Sequence, residues 1–362
     1  MKWNIPEKMP NVFEYLAEDN AGKMTEPTEA DLYLFTILSY TRIERFCHLK
    51  GEITVAEYAK KCYDPDEKTY GMIKNAERFL QQFGKKERYA SLKLFAFKSI
   101  FDSISEVQYA SLAIKLPGDA VFISFRGTDG SLLGWKEDFN LTYYTEIPAE
   151  SAALEYLDAI MEEYPHSRFY LGGHSKGGIL AMYAASKIGR EKQERIEYVM
   201  DCDCPGFNKS LLEDAGYNAI LDRIHSFIPK YSLVGLLFGK KQEITVIASS
   251  GLFYYQHSPW TWCLSDGSLC HLETIASGEE LTANKLNRIM ELLSEEEMKF
   301  FVDTVYRLIN DDKKDLRIKD LASVKRLKNA YSRYKNLSSD DRKNLQTVVK
   351  TIFLCFVSGR KQ

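Results

Sequence analysis

The sequence has no run of about 18 apolar residues, so we expect no membrane-spanning helix. No apolar stretch follows the start of the chain, which argues against a secretory signal. The seven cysteines are scattered and odd in number, which favours free thiols in the cytoplasm over a disulfide framework. Only one residue separates Cys202 from Cys204, too close for the usual CxxC zinc spacing, so we expect no metal. The formal charge of -3 gives no reason to expect a nucleic-acid partner.

Helical and strand patterns divide the 362 residues into three parts. Residues 1–90 are predicted to be a helical lead-in packed on the core. Residues 91–272 alternate short apolar strands with helices, the order typical of βαβ units and a parallel sheet. Residues 273–362 show amphipathic helical patterns and no candidate nucleophile, so we expect a helical appendage. The predicted class is α/β, with a mainly parallel central sheet flanked by helices.

A glycine-rich turn carries the candidate nucleophile. The apolar segment 168–171 leads into Gly173-His174-Ser175-Lys176-Gly177, and a helix of small residues follows. The pattern G-x-S-x-G between a strand and a helix predicts a nucleophile elbow. Glycines let the helix approach the strand, and the helix N-terminus points N–H groups toward a developing oxyanion. Neither Walker spacing nor GxGxxG is present, so a phosphate or dinucleotide cradle is not favoured. We therefore take Ser175 as the nucleophile.

Two backbone N–H groups are candidates for the oxyanion hole. One belongs to the residue after the nucleophile, here Lys176. The other is expected from Thr128, which follows the buried strand 120–125, and the Thr128 hydroxyl is a further candidate donor. The Lys176 side chain suits either an anionic head group or a carboxylate partner. For Arg126 we expect a structural ion pair with Asp138.

Several motifs together resemble the class 3 lipases. They are Phe125-Arg126-Gly127-Thr128, Trp135-x-x-Asp138 and Gly173-His174-Ser175-x-Gly177-Gly178, with Lys176 where Leu is usual. Three further segments are most similar to a bacterial lipase-like branch, the Mbeg-like proteins: Asp203-x-Pro205-Gly206-Phe207, Ser232-Leu233-Val234-Gly235 and Gln256-His257-Ser258-Pro259-x-x-Trp262. The resemblance covers roughly residues 10–270. It implies an α/β-hydrolase fold with Thr128 in the oxyanion hole, but that branch brings no established substrate.

The catalytic base must be one of six histidines. His257 falls in a loop after the last predicted core strand, where this fold places its base, and it matches the histidine of the branch. His271 is the runner-up. His225 lies within a strand and is expected to be a core residue. His174 lies inside the elbow, and its side chain is expected to point away from the reaction face of the serine.

The catalytic acid is the weakest part of the prediction, because Ser232 stands where class 3 lipases carry Asp. Asp203 follows the strand 196–200 and is the leading candidate. Asp201 should face the other way by strand alternation, and Asp222 should lie at the wrong end of the sheet. Two alternatives stay open: an Asp203 that only bonds its own turn, and a Ser–His pair without an acid.

Together these residues predict a cytoplasmic, cofactor-free serine hydrolase that cleaves a small-molecule or lipid-like ester. The apolar segment 231–238 suits an acyl pocket, a transient contact with a membrane surface, or simply a core helix. The same residues suit an acyltransferase or thioesterase. A binding protein that keeps the fold without catalysis is the remaining alternative, and Ser at 232 is its best support. The sequence does not predict an oligomeric state.

Overall fold

The computed structural model describes residues 9–18, 22–64, 71–310 and 323–358. The strands are β1 (Ile53–Thr54), β2 (Lys93–Asp102), β3 (Val107–Leu116), β4 (Ala120–Phe125), β5 (Arg168–His174), β6 (Ile196–Cys202), β7 (Ile224–Pro229), β8 (Ile244–Ile247), β9 (Leu264–Ser265), β10 (Ser268–Leu269) and β11 (His271–Leu272). The helices are α1 (Val12–Ala17), α2 (Glu29–Leu38), α3 (Val55–Cys62), α4 (Gly71–Phe83), α5 (Glu87–Ala90), α6 (Leu132–Asn140), α7 (Pro148–Glu163), α8 (Lys176–Lys187), α9 (Arg190–Gln193), α10 (Lys209–Leu212), α11 (Ala215–Ala219), α12 (Ser277–Leu292), α13 (Glu295–Ile309), α14 (Val324–Lys335) and α15 (Ser339–Ser358).

The centre of the fold is a mixed sheet in the order β1-β2-β3-β4-β5-β6-β7-β8-β11, and β9 pairs with β10 in a separate hairpin. Strands β4 to β8 run parallel, whereas β1 to β4 and the β8–β11 pair are antiparallel. The predicted α/β class with a parallel centre is therefore correct. The carboxyl ends of the parallel strands meet at one edge, which is where open α/β sheets form their sites.

Helices cover both faces of the sheet because the central strands are buried on both sides. Side chains along β4 alternate: Phe122 packs on one face, and Val121 and Ile123 pack on the other. On the first face α2 lies across β4, β5 and β6, and Phe35 contacts the Phe122 ring with centroids 5.5 Å apart. On the second face α7 and α8 fill the layer, with Leu157 among their buried residues.

The N-terminal part is integral to this core. Thr28 caps α2, since its hydroxyl accepts the N–H of Asp31 and the Asp31 carboxylate accepts the N–H of Thr28. Strand β1 adds an edge to the sheet by pairing with β2. The predicted domain limits at residues 90 and 272 stay predictions, and parts of both outer segments lie outside the described residues.

The C-terminal helices build a small apolar cluster of their own. Ile289, Met298 and Val302 pack there with Val348, and Tyr143 joins them from the segment that follows α6. The appendage therefore contacts the core close to α6. Within the described ranges, no helix is long and apolar enough to cross a membrane.

Candidate active site

Ser175 occupies a strained turn between β5 and α8. Its φ of 57° and ψ of -132° lie in a region that residues with a side chain rarely adopt. The turn needs glycine beside it, because a Cβ on Gly173 would lie 1.9 Å from the carbonyl of Gly177. Since α8 begins at Lys176, the N–H groups of its first turn have no partner within the helix. The partly exposed serine thus sits at the N-terminus of α8, where the N–H of Gly178 bonds the carbonyl oxygen of Ser175.

His257 and Asp203 are in direct contact. Nδ1 of His257 lies 2.7 Å from Oδ2 of Asp203, whose side chain is fully buried, whereas the His257 side chain is 27% exposed. An ionised carboxylate only accepts hydrogen bonds, so Nδ1 carries the proton and Nε2 of the neutral ring is left as an acceptor. The ring of His174, the residue before Ser175, lies 4.7 Å from the His257 ring. His257 therefore lies beside the elbow with Nδ1 directed at Asp203.

Asp203 is held by groups from the end of the next strand. The Ser232 hydroxyl donates to Oδ2 over 2.5 Å, and the N–H of Gly235 donates to Oδ1 over 3.0 Å. Together with His257 these donors solvate a carboxylate that has no access to water. The side chain is thus engaged away from its own turn, although the backbone of Asp203 does have a positive φ of 50°.

The loop after β4 approaches the elbow closely. A Cβ on Gly127 would lie 2.3 Å from the carbonyl oxygen of His174 and 3.3 Å from Cβ of Ser175. The next residue, Thr128, donates its hydroxyl to Asp138 at 2.7 and 2.6 Å from the two carboxylate oxygens. Burial raises the pKa of Asp138 to about 6. The one hydroxyl hydrogen of Thr128 is used in this bond to Asp138. The backbone N–H of Thr128 is therefore the donor that this residue could offer to an oxyanion.

Arg126 does not pair with Asp138, contrary to our expectation. Its Nη1 lies 3.2 Å from Oε2 of Glu44, a residue from the N-terminal part of the chain. The sequence motif favoured Asp138 because it is near in the chain, whereas the partner found, Glu44, lies 82 positions earlier.

The side chain of Lys176 points into the core rather than toward substrate. It is 1% exposed, and Nζ lies 2.5 Å from Oε2 of Glu137, which is fully buried. Nζ also donates to the carbonyl oxygen of Gln108 over 2.8 Å and to its side-chain oxygen over 3.0 Å. Of the two uses expected for this charge, the carboxylate partner is the one found, and the anionic head group is excluded by burial.

The competing histidines lie elsewhere. Nε2 of His271 is 2.9 Å from Oε1 of Glu29 on α2. The ring of His225 stacks on Tyr198 with centroids 4.0 Å apart, and burial lowers the pKa of His225. Neither of these two contacts involves the elbow, whereas the carbonyl oxygen of His257 bonds His174, the residue before Ser175.

The competing carboxylates are likewise separated from His257. Asp201 is fully buried, and its Oδ2 lies 2.5 Å from Nζ of Lys240. Asp222 is exposed and precedes β7, at the amino end of that strand. Strand alternation and strand polarity therefore placed both residues as expected.

Two side chains near the site were not anticipated from the sequence. The sequence held one indication of Glu137: Lys176 stands where Leu is usual, and a buried lysine requires a carboxylate partner. Tyr40 had none, because it bonds His174 from 134 positions earlier in the chain. In the described part of the chain, no group of three or more His, Cys, Asp or Glu residues is arranged to hold a metal ion.

The parallel central strands and the serine in a strained strand–helix turn define an α/β-hydrolase fold. The family model described as Mbeg1-like matches residues 83–307, which is more than half of the chain. The chain therefore belongs to the Mbeg1-like family.

Fungal lipases are among the similar solved structures. The lipase of Rhizopus microsporus var. chinensis is 12% identical, with 72% of this chain and 92% of that chain covered and a TM-score of 0.38. The Rhizomucor miehei lipase propeptide complex is 14% identical, with 76% and 84% covered and a TM-score of 0.40. Lip2 lipase of Yarrowia lipolytica is 12% identical, with 75% and 97% covered and a TM-score of 0.35. No curated protein sequence matches the chain.

Proposed function

We propose that this protein is a serine hydrolase that cleaves carboxylic esters, with Ser175 as nucleophile, His257 as base and Asp203 as acid. The observation that carries the proposal is the 2.7 Å contact between His257 Nδ1 and the buried Asp203 carboxylate, next to the strained Ser175. Acyl transfer requires a nucleophile, a base that takes its proton, and a carboxylate that orients the base. The contact also weighs against a non-catalytic protein, whose best support was the absence of Asp at 232.

In the first half of the reaction, the Ser175 oxygen attacks the ester carbonyl carbon while Nε2 of His257 takes the serine proton. The imidazolium that forms is stabilised by Asp203, which keeps Nδ1 protonated and the ring oriented. His257 then gives its proton to the leaving alcohol as the carbon–oxygen bond breaks. Ser175 is left acylated.

In the second half, a water molecule gives a proton to His257 and attacks the acyl carbon, and the Ser175 oxygen leaves with that proton. The backbone N–H groups of Thr128 and Lys176 stabilise the oxyanion in both halves. The bond from the Thr128 hydroxyl to Asp138 holds this residue in place. These steps need no cofactor.

The substrate we propose is an ester with an apolar acyl or alcohol part. Trp135 and Phe139 lie one helical turn apart on α6, the helix that carries Asp138, and are 42% and 48% exposed. Leu252 and Tyr255, in the segment leading to His257, are 72% and 57% exposed. Large exposed apolar side chains on both segments favour a lipid-like substrate and transient contact with a membrane surface.

We place this activity in the cytoplasm. All cysteines whose state is described are free thiols: Cys47, Cys62, Cys202, Cys204, Cys263 and Cys270. Free thiols persist in reducing compartments, which supports the assignment. Fractionation of the cells that produce the protein tests it, and recovery in the culture medium would contradict it.

Labelling with a fluorophosphonate probe tests the hydrolase assignment directly. The probe should modify the wild-type protein at Ser175 and leave Ser175→Ala unmodified, and hydrolysis of short p-nitrophenyl esters should disappear in the same variant. Loss of a triad member typically lowers kcat on the order of a million-fold. Circular dichroism should be unchanged. A Ser175→Ala protein that hydrolyses esters at the wild-type rate would disprove Ser175 as the nucleophile.

A further inference from the structure

The buried ring of His174 connects Tyr40 to the backbone of His257. Its Nε2 lies 2.7 Å from the carbonyl oxygen of His257, and its Nδ1 lies 2.7 Å from the hydroxyl oxygen of Tyr40. His174 is 2% exposed and Tyr40 is 7% exposed. Two consecutive hydrogen bonds thus connect Tyr40, from the N-terminal part, through His174 of the elbow to His257, the proposed base.

The hydrogen-bond partners fix which nitrogen of His174 is protonated. A backbone carbonyl only accepts, so Nε2 must carry the proton and donate to His257. In the neutral ring Nδ1 is then bare, and it accepts the hydroxyl hydrogen of Tyr40. With Phe at position 40, Nδ1 would lose its donor, and only the carbonyl of His257 would still select this tautomer.

Burial keeps the side chains of both His174 and Tyr40 neutral. It lowers the pKa of His174 well below its usual range, and the nearby His257 lowers it further. Burial also raises the pKa of Tyr40, so its hydroxyl stays protonated. The neutral state matters because the two imidazole rings are 4.7 Å apart. A charged His174 would oppose formation of the His257 imidazolium during catalysis.

We propose that His174 and Tyr40 are positioning residues, which fix the peptide carbonyl of His257 so that its ring stays between Asp203 and Ser175. The proposal rests on the proposed function, since it assigns these residues a role in that site. A core histidine bonded to regular secondary structure would not have this effect. Here the acceptor is the backbone of the base itself, in a segment that contributes no strand to the main sheet.

Three variants separate the roles of the two bonds. Tyr40→Phe removes only the hydroxyl, His174→Leu removes both bonds, and His174→Gln restores an amide N–H near the position of Nε2. We expect kcat for a p-nitrophenyl ester to fall roughly ten- to a hundred-fold in the first two, with KM nearly unchanged, because a misplaced base costs rate rather than binding. His174→Gln should recover most of the loss.

Matched controls report on loss of a buried group alone. Tyr58→Phe removes another buried hydroxyl, which lies 2.7 Å from the Thr41 hydroxyl, and His225→Leu removes a histidine remote from the elbow. Both should keep the wild-type kcat even where the melting temperature falls. A His174→Leu variant with wild-type kcat, or controls that lose kcat equally, would overturn the proposal.

A spectroscopic readout keeps the test independent of turnover. The His257 Nδ1 proton bonded to Asp203 should give a far-downfield proton NMR signal, assigned by its loss in His257→Ala. We expect the signal to weaken or shift in Tyr40→Phe and His174→Leu and to stay in both controls. If the wild type hydrolyses no ester, the proposed function fails, and the positioning role is decided by this signal alone. A signal unchanged in both variants would reject positioning.

Discussion

The Ser232 hydroxyl donates to Asp203 over 2.5 Å, so the residue at the position where the resemblance to class 3 lipases leads us to expect an acid bonds the carboxylate that we propose as the acid. Asp203 follows β6, and Ser232 follows β7, the adjacent parallel strand. Because both strands end at the same edge of the sheet, a carboxylate from either can reach His257. The smaller serine leaves room for Asp203 and supplies one of its hydrogen bonds.

The first prediction concerns this pair. Asp203→Asn keeps the shape but lets the ring adopt the wrong tautomer, so kcat for ester hydrolysis should fall by about 10⁴. Ser232→Ala leaves the carboxylate and the Gly235 N–H in place and should cost only about tenfold. Steady-state kinetics with a p-nitrophenyl ester measures both. Equal losses in the two variants would argue against Asp203 as the acid.

A second prediction separates the candidate bases. His257→Ala should lower kcat on the order of a million-fold, because no other group takes the serine proton. His225→Ala should keep kcat and lose roughly 1–3 kcal/mol of unfolding free energy, since it removes the stack on Tyr198. Kinetics and urea unfolding give the two quantities. Activity lost in His271→Ala but kept in His257→Ala would show that the base is His271 and not His257.

The buried Lys176–Glu137 pair gives a third prediction. Lys176→Leu leaves the Glu137 charge without its partner and should lower the unfolding free energy by about 3–5 kcal/mol. Adding Glu137→Gln should restore most of that loss, because no unpaired charge remains. Urea unfolding of the two proteins checks this. The folded double variant should hydrolyse esters within about tenfold of the wild type, since the backbone N–H of residue 176 is retained.

A fourth prediction concerns pH and Glu150 on α7. Burial raises the pKa of Glu150 to about 8, above its ordinary value of 4.5. The folded state therefore binds the proton more tightly, and this contribution to stability is lost as pH rises through about 8. Glu150→Gln cannot titrate, so its melting temperature relative to wild type should increase between about pH 5 and pH 9. The exposed Glu155→Gln on the same helix is the control and should show no such trend.

Local patterns were sufficient to predict the class of the fold. The alternation of strands and helices, the buried run of β4 and the glycine-rich turn around Ser175 each lie within a few consecutive residues. Chain order and strand polarity limited the choice of base to a few histidines and the choice of acid to a few carboxylates.

Side-chain pairing across the chain could not be predicted in the same way. Arg126 pairs with Glu44 instead of Asp138, and Lys176 turns inward to Glu137. Such pairs depend on how the helices pack on the sheet, and the distance between two residues along the sequence does not reveal that packing. The Tyr40–His174 bond is the extreme case, because a buried tyrosine in the turn after α2 looks in the sequence like any other core residue.

The contact between α6 and α13 ties the C-terminal helices to the site. Nζ of Lys136, on α6, lies 2.9 Å from Oδ1 of Asp303 on α13, and α6 also carries Asp138, which holds Thr128. A ligand that displaced α13 would pull on α6 through this pair, and if the displacement changed the affinity for substrate, the two binding events would be thermodynamically coupled. Coupling of this kind is reciprocal: the factor by which such an effector changes substrate affinity is the factor by which substrate changes the affinity of the effector. The Lys136–Asp303 pair is thus the link through which a movement of α13 would reach α6 and, through Asp138, the proposed oxyanion-hole residue Thr128.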